Sequence, residues 1–445
     1  MSIGTTQMNP EQTARAAVEA VLHTQWEGLP VVRLDSPPGA GKTWVVENLA
    51  AQAQGIMGER CMISTQTNDQ AFDVARRLAT RFPRLRTHLF VRDGLPVPPQ
   101  LSVPNLTIVT SGANLPVGPC IVVANSAKWS WVQEPAPQFD LLVVDEAFQL
   151  ADYRFQQIAG LSRRIVLVGD PGQIPPVVTC EIERWKCDAA GPHVACPKAL
   201  CERYPSVTRL SLPISRRLVA DTVSFVQPAF YPELPFGALT SARLLRVTLP
   251  ISRKPGDAAL DLVVNGASLV LSQLPPAITG EVDDELADAI VGTVTRLFER
   301  GATVHENGTT FMLDPRMVGI VCAHVSQVNA IRERLPRQLN DVLVETSDRF
   351  QGLQREVMLV HHPLSGRADA STFHLDAGRL CVMMSRHRIA CMLVTRAGIR
   401  DRLMRHAPSG DRILGIPDDP EYTGWRAHLR ILDDLRGANR IVDFV

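Results

Sequence analysis

Ser36–Thr43 reads SPPGAGKT, a glycine-rich turn closing on an amine and a hydroxyl. It fits the phosphate-loop pattern GxxxxGK[ST] except that Ser36 stands at the first glycine. Across Gly39, Ala40 and Gly41 the backbone N–H groups can turn toward phosphate oxygens at a helix N-terminus, where the helix dipole favours anions. Lys42 then reaches terminal phosphates, and the Thr43 hydroxyl suits Mg²⁺. FDLLVVDEAFQL (139–150) delivers two adjacent carboxylates at the end of an apolar run, where parallel sheets bind ligands. Asp145 is the candidate to hold Mg²⁺, and Glu146 to orient and deprotonate water. RIVLVGDPGQIPPVV (164–178) ends another apolar run in a polar turn, with Gln173 available to sense a γ-phosphate. Taken alone, that turn is weak evidence, because Gly, Asp and Pro are turn formers.

The surrounding elements must hold these groups. LPVVRLDS (29–36) is a short apolar run that breaks into the loop, and the helical pattern WVVENLAAQA follows. Further apolar runs at 61–64, 120–124, 141–144 and 165–168 predict a parallel sheet covered by helices. After a proline-rich passage the alternation repeats, with a helix over 283–301 and apolar runs at 317–323, 356–363 and 391–396. The expectation is two α/β domains, 1–213 and 214–445. A chain of 445 residues with 45% apolar and 21% charged residues is ordinary globular material.

The 46 Lys and Arg balance 46 Asp and Glu, so no global field draws the chain onto a polyanion, and any nucleic-acid site must be local. Only five of those cations are lysines. The rest are arginines, planar forks suited to bidentate phosphate contacts. No apolar run is long enough to span a bilayer, and MSIGTTQMNPEQ lacks the basic and apolar segments of a leader, which predicts a cytoplasmic protein without membrane association.

In their order, the loop, the carboxylate pair and the GDPGQIPP turn resemble superfamily 1 helicases, and GDPGQIPP is similar to the form found in the 5′→3′ branch typified by the nonsense-mediated decay helicase. NPEQ resembles the family's Q motif, which makes Gln12 the adenine reader. TQTNDQA (65–71) resembles the motif whose Thr65 and Asn68 would touch a single strand. SRRLVADTVSFVQPAFY (215–231) and RLCVMMSRHR (379–388) resemble the segments that carry the two arginine fingers, here Arg217 and Arg386. VCAHVSQV (321–328) resembles the TPYRAQV segment, making His324 a strand contact, and ETSDRFQGLQREV (345–357) resembles motif V, which puts Gln351 and Gly352 at the nucleotide. Two departures stand out. Gln354 occupies the position where the family usually has Glu, and Arg216 replaces the usual aromatic before Arg217.

The resemblance implies two RecA-like P-loop domains with parallel sheets and an ATP site between them. It also implies a near-minimal motor that uses ATP and Mg²⁺ to move 5′→3′ along single-stranded DNA or RNA, with a protein loading partner as a further candidate. A nucleotide-driven switch or assembly ATPase in a repair or defence complex is the competing class, and the balanced charge gives it weight. A nucleotide-dead binder is disfavoured by the presence of Lys42, Thr43, Asp145, Glu146 and Arg386.

Other residues stay open. Lys128, Trp129 and Trp131 combine a cation with stacking surfaces, as sequence-tolerant strand binding does, but packing in the core is an equal alternative. Cys180, Cys187, Cys196 and Cys201, with His193, lack the close cysteine pairs of a zinc knuckle and read either as a poor zinc site or as unconnected small hydrophobes. His361 and His362 read as structural.

Overall fold

The computed structural model describes residues 10–132, 138–179, 181–239, 243–249, 254–408 and 419–444. The chain forms two compact units, Met1–Pro171 with Pro175–Ile214, and Gly172–Ile174 with Ser215–Val445.

The first unit carries β1 (Val31–Asp35), β2 (Arg60–Thr65), β3 (Thr87–Phe90), β4 (Leu106–Val109), β5 (Cys120–Asn125), β6 (Phe139–Val144), β7 (Ser162–Gly169) and β8 (Thr208–Ser211). They make one eight-stranded sheet in the order β4-β3-β5-β2-β6-β7-β1-β8, with parallel pairing throughout. Its helices are α1 (Pro10–Trp26), α2 (Lys42–Gly55), α3 (Asn68–Arg81), α4 (Ser126–Trp129), α5 (Asp152–Ala159) and α6 (Cys196–Arg203). Successive side chains of a strand point to opposite faces, so β2 feeds two cores. Cys61 and Ile63 pack with Leu141, Val143 and Val166 on one face. Met62 packs with Leu142, Val144 and Leu167 on the other. A sheet buried on both sides explains why its central strands read as continuous apolar runs rather than alternating ones.

One ion-pair cluster braces this unit. Glu47 on α2 is 1% exposed and accepts from Arg77 Nε at 2.6 Å and Arg81 Nη1 at 3.0 Å, both on α3. A carboxylate so buried persists only when paired.

The second unit begins after β9 (Ile214–Ser215) and includes β10 (Gly237–Ala238), β11 (Leu244–Val247), β12 (Leu269–Leu274), β13 (Ala302–Glu306), β14 (Thr309–Met312), β15 (Val318–Cys322), β16 (Leu343–Thr346), β17 (Arg355–His361), β18 (His387–Arg396) and β19 (Ile441–Asp443). Six of them form a parallel sheet in the order β16-β15-β17-β18-β12-β19. Three others form a small antiparallel sheet, β11-β13-β14. The helices are α7 (Ala220–Phe230), α8 (Asp257–Val264), α9 (Asp284–Glu299), α10 (Val325–Arg334), α11 (Thr372–Leu375), α12 (Ala377–Met384), α13 (Ile399–Arg405) and α14 (Pro420–Gly437). Val357 and Leu359 of β17 face one core, Met358 and Val360 the other. Both units are RecA-like α/β layers: parallel sheets, helices on both faces, phosphate loop in the first. Among the described residues no helix is long and apolar enough to cross a membrane.

Candidate active site

In the first unit, β1 runs straight into the glycine-rich turn, and α2 starts at Lys42. Gly39 has φ 73° and Gly41 φ 99°, left-handed values that glycine adopts without strain. Gly41 is the N-cap of α2 and no side chain caps it, so the first N–H groups of the helix are left for an anion. Ser36 is buried, and its N–H donates to the Gly169 carbonyl at 2.8 Å. At that position the loop uses its backbone, so a serine serves where the pattern asks for glycine.

β6 carries Asp145 and Glu146 to the same end of the sheet. Lys42 Nζ lies 2.7 Å from Glu146 Oε2. Glu146 sits at φ 52°, ψ 44°, an uncommon conformation for a side-chain-bearing residue, of a kind that collects at functional sites. Asp145 is buried; its N–H donates to the Ser64 carbonyl, and its Oδ1 accepts the Glu146 N–H at 3.0 Å. Burial first, then the Glu146 charge, push the Asp145 carboxyl up to about 7 against the pull of Lys42. The buried Asp145 carboxylate and the Thr43 hydroxyl at the start of α2 are hard oxygen donors, suited to Mg²⁺, whose charge would compensate what burial withholds from Asp145. The uncapped glycine cradle and this donor set fit a nucleoside triphosphate with its cation. Gln173 is buried in the turn after β7, and Gln12 is exposed on the first turn of α1.

The strand candidates of this unit are arranged differently from one another. Thr65 is 1% exposed and its Oγ1 donates to the Thr67 carbonyl. Asn68 opens α3 behind a capping box in which Thr67 and Gln70 bond reciprocally. Its Oδ1 accepts Asn125 Nδ2 at 2.6 Å, so the C-terminal edges of β2 and β5 are joined there. Lys128 Nζ donates to the Thr110 carbonyl and lies 4.3 Å from the centroid of Phe90. Trp129 and Trp131 separate sharply. Trp129 is fully buried, packed between Phe90 and Phe139 with its Nε1 donating to the Ile63 carbonyl. Trp131 is 80% exposed.

In the second unit Arg217 Nε donates to Gln354 Oε1 at 3.0 Å, and its Nη1 donates to the Ser385 carbonyl at 3.3 Å. Arg386 follows Ser385 directly and is 2% exposed, with Nε and Nη2 unbonded among the described residues. Gln351 Nε2 is also buried without a partner there, and Gly352 has φ 79°. Arg217, Gln354, Ser385 and Arg386 are thus brought together from segments far apart in sequence. Beneath them runs a chain of hydroxyls: Thr222 Oγ1 donates to Ser268 Oγ, and Ser268 Oγ to Asp221 Oδ2. Because Thr222 has given its only proton, it accepts from His387 Nε2 at 2.7 Å, which fixes the tautomer of that ring. His324 stands at the N-cap position of α10 without capping it and pairs with His374.

Among the described residues the cysteines are not gathered around one point. Cys196 and Cys201 are buried on α6, Cys187 is exposed, and Cys180 lies outside the described residues. Burial pushes the Cys196 thiol well up, away from the thiolate that zinc needs. Among the described residues no group of His, Cys, Asp and Glu is arranged to hold a metal ion. His361 and His362 are buried in the second unit. Sequence reasoning missed Asn125 as the partner of Asn68 and Gln354 as the partner of Arg217; the departure from Glu at 354 was the one visible sign.

An AAA-domain family model matches residues 7–195, and a second AAA-domain model matches residues 281–398. The DNA replication ATP-dependent helicase/nuclease dna2 of Schizosaccharomyces pombe is 22% identical over 263 residues, 58% of this chain and 18% of that protein. Among solved structures, the arterivirus nonstructural protein 10 helicase aligns over 88% of this chain and 63% of its own at 15% identity and a TM-score of 0.43. The PRRSV helicase covers 87% and 56% at 13% identity and a TM-score of 0.41. The chain therefore spans under a fifth of the yeast relative and less than two thirds of either viral chain. AAA-type matches thus lie on both sides of Arg217, and the stretch similar to a replication helicase covers more than half of this chain, so the chain carries AAA-type domains and is similar to ATP-dependent helicases.

Proposed function

We propose that this chain is an ATP-driven motor that travels 5′→3′ on single-stranded DNA or RNA and separates duplexes ahead of it. The observation that carries the reading is the ion pair of Lys42 with Glu146, set beside the buried Asp145 and the uncapped start of α2. Gly39, Ala40, Gly41, Lys42 and Thr43 hold the phosphates of ATP, Gln12 the adenine, and Gln351 and Gly352 the nucleotide from the second unit. Thr43 and Asp145 hold Mg²⁺, which neutralises phosphate charge. Lys42 exchanges Glu146 for phosphate oxygens, and Glu146, released, accepts the proton of the attacking water. Gln173 senses the γ-phosphate, while Arg217 and Arg386 bring positive charge to the transferred group. Thr65, Asn68, Lys128 and His324 mark the edges along which a strand runs, with the exposed Trp131 beside Lys128 as a further stacking surface.

The test is ATP turnover with and without single-stranded DNA and RNA, followed by unwinding of duplexes with a 5′ or a 3′ tail. Stimulation by a strand and unwinding from the 5′ tail are expected. Constitutive turnover without stimulation favours the switch ATPase instead, and preference for the 3′ tail overturns the direction while leaving the motor.

A further inference from the structure

The segment between β17 and α12 presents an aromatic cluster that none of the helicase-like motifs accounts for. Phe373 is 42% exposed, although its neighbours hold it firmly. The His324 ring lies 5.2 Å from it at 35°, and the His374 ring 5.3 Å from it, edge-on. The Arg379 guanidinium lies over the ring, 4.0 Å from its centroid, and is itself held by the Ser347 hydroxyl and the Asp348 carboxylate.

The two imidazoles are neutral partners. His324 Nε2 and His374 Nε2 are 2.9 Å apart, so one donates and the other accepts, and His374 Nδ1 bonds to Ser371 Oγ at 2.7 Å. Burial first, with Arg367 next, lowers the His374 ring to about 4, consistent with that neutral pairing. His324 follows β15 and is the N-cap of α10, where no side chain caps the helix. The rings therefore stand at the C-terminal edge of a parallel sheet, beside backbone N–H groups suited to a phosphate. A half-exposed aromatic ring held by its neighbours, neutral rings around it and an anion-ready helix start next to it match what a nucleotide unit of a strand presents: a base that stacks on an aromatic surface and a phosphate that follows it.

We propose that Phe373, supported by His324, His374 and Arg379, is a stacking platform for one unpaired nucleobase on the second unit. The proposal rests on the strand-binding reading and adds to it a site for a base rather than for the backbone. Because every base has a π face, the platform is sequence-tolerant.

The experiment is fluorescence anisotropy of the full chain with labelled oligothymidylate and with a matched strand lacking bases, comparing wild type, F373A and F373L. Expected is a loss of about tenfold for F373A on the intact strand, a smaller loss for F373L, and no difference among the three proteins on the abasic strand. An equal loss on both strands, or none on either, overturns the platform and leaves strand binding standing. Absence of binding by the wild type to any strand overturns the strand-binding reading and the platform with it. A second measurement does not depend on how a variant folds: irradiation of wild type bound to a 5-iodouracil strand should join the base to Phe373, and crosslinks found only elsewhere overturn the site.

Discussion

Arg217 donates from Nε to the amide oxygen of Gln354 at 3.0 Å, and from Nη1 to the carbonyl of Ser385, the residue before Arg386. A neutral amide fixes the direction of a guanidinium without neutralising it. A glutamate at the same position would pair with Arg217 and compete with a phosphoryl group for its charge. Gln354→Glu is therefore expected to slow turnover about tenfold with a smaller change in KM for ATP. Gln354→Ala should fall between that variant and wild type, while Arg217→Ala and Arg386→Ala should each cost about 10³-fold. Steady-state kinetics separate these outcomes; unchanged turnover in Gln354→Glu removes the amide from the mechanism.

Loss of Glu146 alone should spare nucleotide binding. Glu146→Gln is expected to bind ATP with Mg²⁺ close to normally and to turn over at least about 10²-fold more slowly if Glu146 is the proton acceptor proposed above, since only that carboxylate is removed. Lys42→Ala should lose hydrolysis and still melt cooperatively, because its partner is a single carboxylate at a partly exposed loop. Nucleotide titration, turnover and thermal unfolding of the two variants check this together.

Acid should destabilise the second unit. Burial lowers His361 to about 4, His387 to about 3 and His428 to about 3, and it lowers His362 as well, whose ring meets His428 edge-on 5.1 Å away. An unfolded histidine titrates near pH 6.5. Between that pH and the lowered values the unfolded chain binds protons that the folded chain refuses. The stability these rings contribute is complete above about pH 6.5 and is lost as pH falls toward 4, by about 1.4 kcal/mol per pH unit for each ring. Urea unfolding of the full chain across that range measures the slope, and His428→Phe should reduce it by one proton. A flat profile between pH 6.5 and 4.5 contradicts the assignment.

Asp283 holds three things at once. It receives Arg396 through Nε at 2.8 Å and Nη2 at 2.7 Å, caps α9 through the Leu286 N–H, and offers its own N–H to Gln327. Both side chains of the ion pair are at most 5% exposed. Asp283→Ala should cost about 3 kcal/mol, because it leaves a buried guanidinium with only the exposed Glu285 carboxylate and the Pro275 carbonyl as partners and also uncaps a helix. Asp283→Asn keeps the cap and should cost less. Chemical denaturation of both variants gives the ranking, and equal costs would assign the whole effect to the lost ion pair and none to the cap.

The parallel sheets were legible where apolar runs are continuous. β5, β6 and β7 are buried on both faces, and their composition announces it. β3 and β4 escaped because THLF and LTIV are four residues long and lie toward one edge of the sheet, and the antiparallel β11-β13-β14 because Thr309 and Thr310 carry no apolar signal. Local order in the site was readable from Gly39, Gly41 and Lys42, since loop, cap and helix start are neighbours in sequence. The pairing of Arg217 with Gln354 spans 137 residues and leaves no local trace. Nor does the contrast of Trp129 with Trp131: two residues apart in identical chemistry, Trp129 closes α4 and is packed inward, while Trp131 lies in the turn just beyond the helix and is exposed.

The glutamate at position 47 has a mechanical meaning. α2 begins at the phosphate loop, α3 begins at Asn68, and Glu47 clamps Arg77 and Arg81 of α3 from a site 1% exposed. The two helices cannot slide past each other without breaking that clamp, so the helix that starts at the phosphate loop and the helix that starts at Asn68 are tied together within the first unit.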